Sequence, residues 1–213
     1  MTWHTSSAER GLNLTAVVAL VALALLGPTT AFAQLKFSVN STGDAGDFST
    51  RNGVCETAPG NAVCTLRAAI QESNAQVGSD SIGFRIPTTD PNYSAATGVW
   101  TIPLLTALPS ISEGVQITGP GADKLTVRRS ATSVFRIFDV TASGIVGLTG
   151  MTIASGFDTS SLGGAGIRSF NGGTMNINAC VIMGNVGGGV LVTGPLNVSN
   201  STFRQNANYT DNQ

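Results

Sequence analysis

GGAGIRSFNGGTMNINACVIMGN, residues 163–185, is followed after one residue by GGGVLVTGPLNVSNSTFRQN, residues 187–206. The two segments register residue by residue: Met175 over Leu196, Ile177 over Val198, Cys180 over Ser201, Ile182 over Phe203 and Asn185 over Asn206, each pair 21 positions apart. A fixed period of this length is the mark of stacked repeats. Within each copy apolar and polar residues alternate (Met175, Ile177; Leu196, Val198), the period of a strand with one buried face, and glycine clusters separate the runs. A unit this short, holding two or three strands and no helix, cannot bury its own apolar face and must stack on its neighbours. The expected fold is therefore all-β, a parallel β-helix in which coils lie about 4.8 Å apart and equivalent side chains form interior columns. Ile153, Ile182 and Phe203 are assigned to one such core column.

Asn185 and Asn206 fall at matching turns, where an inward amide can bond to backbone and to the next amide as an asparagine ladder. The plainer alternative is that they are solvated loop residues. Upstream, Leu148, Met151, Ile153 and Gly156 align with Ile177, Cys180, Ile182 and Asn185 at an offset of 29. The extra length belongs in the loop around Phe157 to Leu162, and long loops on one side of such a fold are where a ligand groove is usually built. The runs Val99–Ile102, Leu108–Ile111, Val115–Ile117, Leu125–Val127, Val134–Phe138 and Ile145–Leu148 read as further short strands divided by Gly, Pro and Ser.

The first third of the chain reads differently. Arg10 precedes an apolar run from Ala16 to Leu26, then Gly27-Pro28, then Ala31-Phe-Ala33, the small-x-small form of a signal-peptidase site. Residues 1–33 are expected to be a signal peptide cleaved after Ala33. The run is shorter than the roughly 20 residues that span a bilayer, and no other stretch approaches that length, so no transmembrane segment is expected after cleavage. Cleavage would also remove His4, the only histidine, and with it any Ser-His-Asp nucleophile or histidine-ligated metal. Arg, Lys, Asp, Glu, Tyr93 and Tyr209 remain for chemistry.

Cys55 and Cys64 lie close together in a loop rich in Gly, Asn, Ala and Pro, and an oxidising compartment would let them pair as a disulfide; two free thiols are the alternative. Cys180, between Met151 and Ser201 in its column, reads as a small buried hydrophobe. Three cysteines cannot make a four-ligand metal site, and neither metal nor cofactor is expected. Residues 64–77 are the one helix: Thr65 can cap it, Leu66, Ala69 and Ile70 give an apolar stripe, and Asn74 with Gly78 marks its exit. A short amphipathic helix ahead of stacked coils reads as a lid on the first of them.

Val39-Asn-Ser-Thr-Gly-Asp-Ala-Gly-Asp47, Cys64-Thr-Leu-Arg-Ala-Ala-Ile70 with Glu72 and Asn74, and Asp80-Ser-Ile-Gly-Phe84 together resemble the CSLREA domain of exported bacterial β-helix proteins. Gly119-Pro-Gly-Ala122 with Leu125-Thr-Val127 extends the likeness, which departs at Ala68, where the motif has glutamate. Phe203-Arg-Gln-Asn206 and Gly163-Gly-Ala-Gly-Ile167 are similar to the repeats of polymorphic outer-membrane proteins. The resemblance implies a right-handed parallel β-helix, secreted or at the cell surface in association with the outer membrane, in a family that looks adhesive or structural. It supplies no catalytic residue.

Charged residues make up only 11% of the chain and the net charge is −1, so nothing points to nucleic acid, which needs a clustered positive field. The expected partner is a surface polysaccharide or another cell-surface ligand. The alternative, a polysaccharide lyase or glycoside hydrolase, would need two carboxyls about 5–10 Å apart, and Asp139 with Asp158 is the pair to consider; each is also an ordinary turn residue. Arg128, Arg129, Arg136 and Arg168 could line one face but read more simply as solvated exterior positions, with Arg168→Ala nearly neutral, and Asp44-Ala-Gly-Asp47 is a weak calcium motif that usually marks a turn. The expected organisation is a signal peptide (1–33), an N-terminal cap region (34–95), β-helix coils (96–206) and a polar tail (207–213). Because that tail lacks the apolar stripe of a capping helix, Leu196, Val198 and Phe203 are expected to face an uncovered end through which chains could self-associate, as in a fragment of a longer protein.

Overall fold

The computed structural model describes residues 1–2, 34–160 and 163–208. The chain divides into two units, Met1–Phe32 and Ala33–Gln213, and the second carries every strand and helix named below. Nearly all of the segment read as a signal peptide, part of the loop at 157–162 and most of the polar tail lie outside the described residues.

In chain order the elements are β1 (Lys36–Val39), α1 (Leu66–Asn74), β2 (Ser79–Phe84), β3 (Tyr93–Ser94), β4 (Val99–Leu104), β5 (Gly114–Thr118), β6 (Leu125–Arg129) and β7 (Phe138–Val140). They continue with β8 (Ile145–Thr149), β9 (Thr152–Ala154), β10 (Ile167–Ser169), β11 (Thr174–Asn178), β12 (Val181–Met183), β13 (Val190–Val192), β14 (Leu196–Ser199) and β15 (Thr202–Arg204). This is a largely β fold with a single helix among the described residues. That helix is shorter than the 64–77 read from sequence, because the chain turns at Ala75 directly after Asn74. No helix among the described residues is long and apolar enough to cross a membrane.

The strands form three sheets: β1-β2-β5-β8-β11-β14, β13-β10-β7 and β15-β12-β9-β6-β4-β3. All pairings are parallel except β3 with β4. From β5 onward the chain visits the three sheets in rotation, with short corners between. The corners repeat too: Gly150, Ala179 and Asn200 hold positive φ at one of them, and Ser155, Gly184 and Gln205 at the next. Left-handed backbone costs a non-glycine residue about 1–2 kcal/mol, so Ala179 and Ser155 adopt it only because the strands on either side dictate the turn.

The register carries the core. Ile102, Val127, Ile153, Ile182 and Phe203 are successive partners across β4, β6, β9, β12 and β15, and Ile117, Leu148, Ile177 and Val198 across β5, β8, β11 and β14. Ile153 and Ile182 are fully buried, but Phe203 is 46% exposed, with Leu196 at 43% and Val198 at 44%. Phe203 therefore keeps the backbone register of the column without belonging to the buried core, since no described strand pairs with the far edge of β15.

Asn185 is buried, and Asn206 occupies the equivalent position one rung on. Asn185 Oδ1 accepts from Gly156 N at 2.8 Å, and its Nδ2 donates to Ile153 O at 3.3 Å and to Asn206 Oδ1 at 2.9 Å. Asn206 repeats the pattern, accepting from Asn185 N at 3.2 Å and donating to Ile182 O at 2.9 Å. Each amide thus satisfies backbone groups that a corner leaves without a partner. One rung earlier the position is Gly156, where an added Cβ would sit 2.0 Å from Ala165 O.

At the N-terminal end α1 buries Leu66, Ala68, Ala69 and Ile70. The hydroxyl of Thr65 accepts from Ala68 N at 3.0 Å as the helix N-cap. Cys55 and Cys64 are bonded, with Cα atoms 5.1 Å apart.

Candidate functional site

Because side chains alternate across a strand, the sheet β1-β2-β5-β8-β11-β14 turns every second residue outward, and parallel register lines these up in two columns. One runs Lys36, Ser81, Gln116, Gly147, Asn176, Asn197; the other Ser38, Gly83, Thr118, Thr149, Asn178, Ser199. Lys36 is the only charged residue in either column. The columns bond between and along themselves: Gln116 Nε2 donates across to Thr149 Oγ1 at 3.2 Å, while Asn197 Nδ2 donates to Asn176 Oδ1 at 2.8 Å and Ser199 Oγ to Asn178 Oδ1 at 2.9 Å within their columns. The Gln116 amide lies over Gly147, where a Cβ would meet Oε1 at 1.9 Å. The result is a face of hydroxyls and amides, bonded to one another in pairs from Gln116 onward.

Over Gly83 there is no such filling, and an added Cβ would meet open space. Here a shallow groove of about 470 Å³ opens, lined among others by Lys36, Ser81, Phe84, Arg85 and Thr118. Phe84 and Arg85 also border a smaller apolar pocket of about 210 Å³ with Trp100 and Leu125. Trp100 stands beside Tyr93 with ring centroids 4.8 Å apart and donates its indole N–H to Pro87 O at 3.1 Å.

The carboxylates considered for catalysis are occupied. Asp139 accepts from Arg168 Nε at 2.6 Å and from Ser110 Oγ at 2.8 Å. Burial pushes its carboxyl up, but these hydrogen bonds and the charges of Arg168 and Arg136 outweigh that and hold it below the usual range. Asp158 is bridged to Arg136 and takes Ser160 Oγ at 2.6 Å and Ser160 N at 3.1 Å, which ties the loop after β9. Nor do the four arginines make a cationic strip. Arg129 donates to Ser155 O at 2.9 Å and faces the Phe157 ring at 5.5 Å, Arg136 and Arg168 hold the two aspartates, and Arg128 alone of the four is exposed. Arg168, read from sequence as a solvated exterior residue, is instead a half-buried ion-pair partner, because parallel register sets it directly against Asp139.

Asp44 and Asp47 serve the cap. Asp44 pairs with Arg67 at 2.7 Å and accepts from Leu105 N at 2.9 Å, while Asp47 accepts from Ser49 N and Glu56 N at 3.0 Å each. No group of three or more His, Cys, Asp or Glu among the described residues is placed to hold a metal ion. Cys180 is buried, and burial pushes its thiol up.

Sequence reasoning missed two groups. Glu72, on a helix face that looks solvated, is fully buried and accepts from the backbone N–H groups of Arg51, at 2.8 Å, and Gly53. The outward polar columns are the second. Their signal is present in the alternation, but seeing it requires the register of all six strands at once.

No family model, no curated protein and no solved structure matches the chain.

Proposed function

We propose that this chain is an exported, non-catalytic right-handed parallel β-helix, adhesive or structural, that acts in secreted form or at the outer-membrane surface and contacts polysaccharide along the outward columns of the sheet β1-β2-β5-β8-β11-β14. The observation that carries the reading is the registered, almost uncharged array of Ser, Thr, Asn and Gln on that face. Strands of neighbouring rungs lie about 4.8 Å apart, so the array offers an extended glycan a regular series of donors and acceptors. Preorganised polar groups of this kind lose little side-chain freedom on contact. The rotation of the chain through three sheets, parallel from β5 onward, and the asparagine ladder support the coil geometry, and the CSLREA-like and outer-membrane-repeat-like motifs support the compartment. A lyase or hydrolase would have to work through Asp139 and Asp158, and both are already committed to arginines.

Affinity electrophoresis through gels containing pectin, alginate, xylan or a glycosaminoglycan tests the reading. Retardation by at least one polymer is expected, with loss of that retardation in a Thr118→Asp, Asn178→Asp double variant and no release of sugar, with or without calcium. Reducing ends released by the wild type and abolished by Asp139→Asn or Asp158→Asn would replace this function with an enzymatic one.

A further inference from the structure

Asp80 is an anomaly in the core. It lies on the inward side of β2, 1% exposed, in the position next to Ile82 in the alternation. Its Oδ1 accepts from Leu35 N at 2.9 Å, but its Oδ2 is buried with no hydrogen-bond partner. No cation pairs with it among the described residues. A buried carboxylate oxygen left this way is expensive unless something pairs with it.

The backbone nitrogen that precedes Leu35 is that of Gln34. Leu35 is fixed, since its N–H is on Asp80 and its carbonyl accepts from Ser81 N at 2.9 Å. Neighbouring backbone nitrogens are joined through three bonds of about 1.46, 1.52 and 1.33 Å, so they lie at most about 3.7 Å apart. With Leu35 N 2.9 Å from Oδ1, the nitrogen of Gln34 lies within about 7 Å of that carboxylate oxygen. While residue 34 is joined to residue 33 that nitrogen is a neutral amide with one proton. Hydrolysis of the Ala33–Gln34 bond changes it: water gives its hydroxyl to the Ala33 carboxylate, and the freed amine of Gln34 takes up protons to become an ammonium with three donors.

We propose that Asp80 is the receptor for the chain's own new amino terminus, so that signal-peptide removal after Ala33 completes the first rung by pairing the Gln34 ammonium with the free oxygen of Asp80. This rests on the exported reading above. The uncleaved precursor would carry the orphan oxygen and a looser β1, and the cleaved chain would not. Lys36 does not substitute, because its side chain points outward on the opposite face of β1.

Residues 33–213 form one compact unit, so chains beginning at Gln34 and at Ala33 can be compared directly. The chain beginning at Gln34 should melt about 4 °C above the one beginning at Ala33. Asp80→Asn, which keeps an acceptor for Leu35 N–H, should erase that difference. A second readout does not depend on stability. An amino-terminal glutamine cyclises when its free amine attacks its own side-chain carbonyl carbon and expels ammonia, and an ammonium held by Asp80 cannot attack. Cyclisation, followed by mass, should be at least about tenfold slower in the wild type than in Asp80→Asn, the change expected of a one-unit shift in the amine. Equal melting of the two chains, a difference that survives Asp80→Asn, or equal cyclisation rates would overturn the pairing. The exported product of the full chain separates the two layers: a first residue other than Gln34 overturns the maturation step, whereas a product beginning at Gln34 without coupling to Asp80 overturns the pairing alone.

Discussion

Around β1 and β2 the sheet is covered and cross-linked by the residues between β1 and β2, whereas around β14 and β15 the same strand geometry is left open. At the first end α1 lies against the sheet, the Cys55–Cys64 bond closes its loop, and Arg67 pairs with Asp44 while donating to Thr106 O at 2.9 Å and Ala107 O at 2.6 Å. Asn74 adds bonds to Ser110 O at 2.7 Å and from Ser112 N at 2.9 Å. At the other end Leu196, Val198 and Phe203 hold the register of buried columns with their side chains in solvent. The difference shows that register and burial are separate achievements. Backbone pairing with one neighbour sets the first, and only coverage on both sides yields the second, so equivalent positions in one column should differ several-fold in energetic weight.

The sharpest way to break this comparison is to place the same charge at two levels of one column. Ile182→Asp should destabilise by about 4 kcal/mol or more, because an unpaired carboxylate would sit among apolar side chains. Phe203→Asp should cost under about 1 kcal/mol, as expected of an exposed position. Urea denaturation followed by circular dichroism gives both values, and comparable losses would mean that the two ends are not finished differently.

Next in size is the cap. Replacing Cys55 and Cys64 with Ser should lower stability by about 2–3 kcal/mol, the chain-entropy value for so short a ring. In the wild type, native alkylation without reductant should label none of the three cysteines, two being bonded and Cys180 buried with its thiol pushed up. Mass spectrometry decides this, and labelling of Cys55 or Cys64 would refute the disulfide.

The smallest effect lies between the ends. Arg168→Ala should cost about 1 kcal/mol, the value for a partly solvated, screened ion pair, rather than nothing. The sign with pH follows from Asp139, whose carboxyl is held below its ordinary range despite burial. Its contribution is present above the unfolded value of about 3.9 and is lost as pH falls through the lower folded value. The wild-type and Arg168→Ala curves should therefore converge under acid. A gap that persists at low pH would assign the effect to packing of the arginine stem over Phe170, which its guanidinium faces at 5.9 Å.

Much of the fold is legible because stacking writes itself into sequence: the offsets of 21 and 29 reappear as strand partners Ile182 with Phe203 and Ile153 with Ile182. The helix announces itself through Thr65 and the apolar stripe. Phe203 departs from the expected burial because periodicity reports which side chains share a column and says nothing of whether the column continues. Arg136 with Asp158 is illegible for another reason: the two stand 22 residues apart and meet between the segment before β7 and the loop after β9, whereas Arg168 meets Asp139 as a strand partner at the offset of 29, a register the apolar pattern of β7 and β10 does not announce. Glu72 and Asp80 have the composition of surface residues, and only the loops and the β1 entry that pack over them make them internal.

Native-state hydrogen exchange resolved by strand tests the central claim, that rungs stack in one register from a closed end to an open one. Local opening follows coverage and hydrogen bonding, so amides of β14 and β15 should exchange fastest, those of β11 and β12 more slowly, and those of β2, β5 and β8 only with global unfolding. Uniform protection through all rungs, or earlier exchange in β2 than in β14, would contradict it.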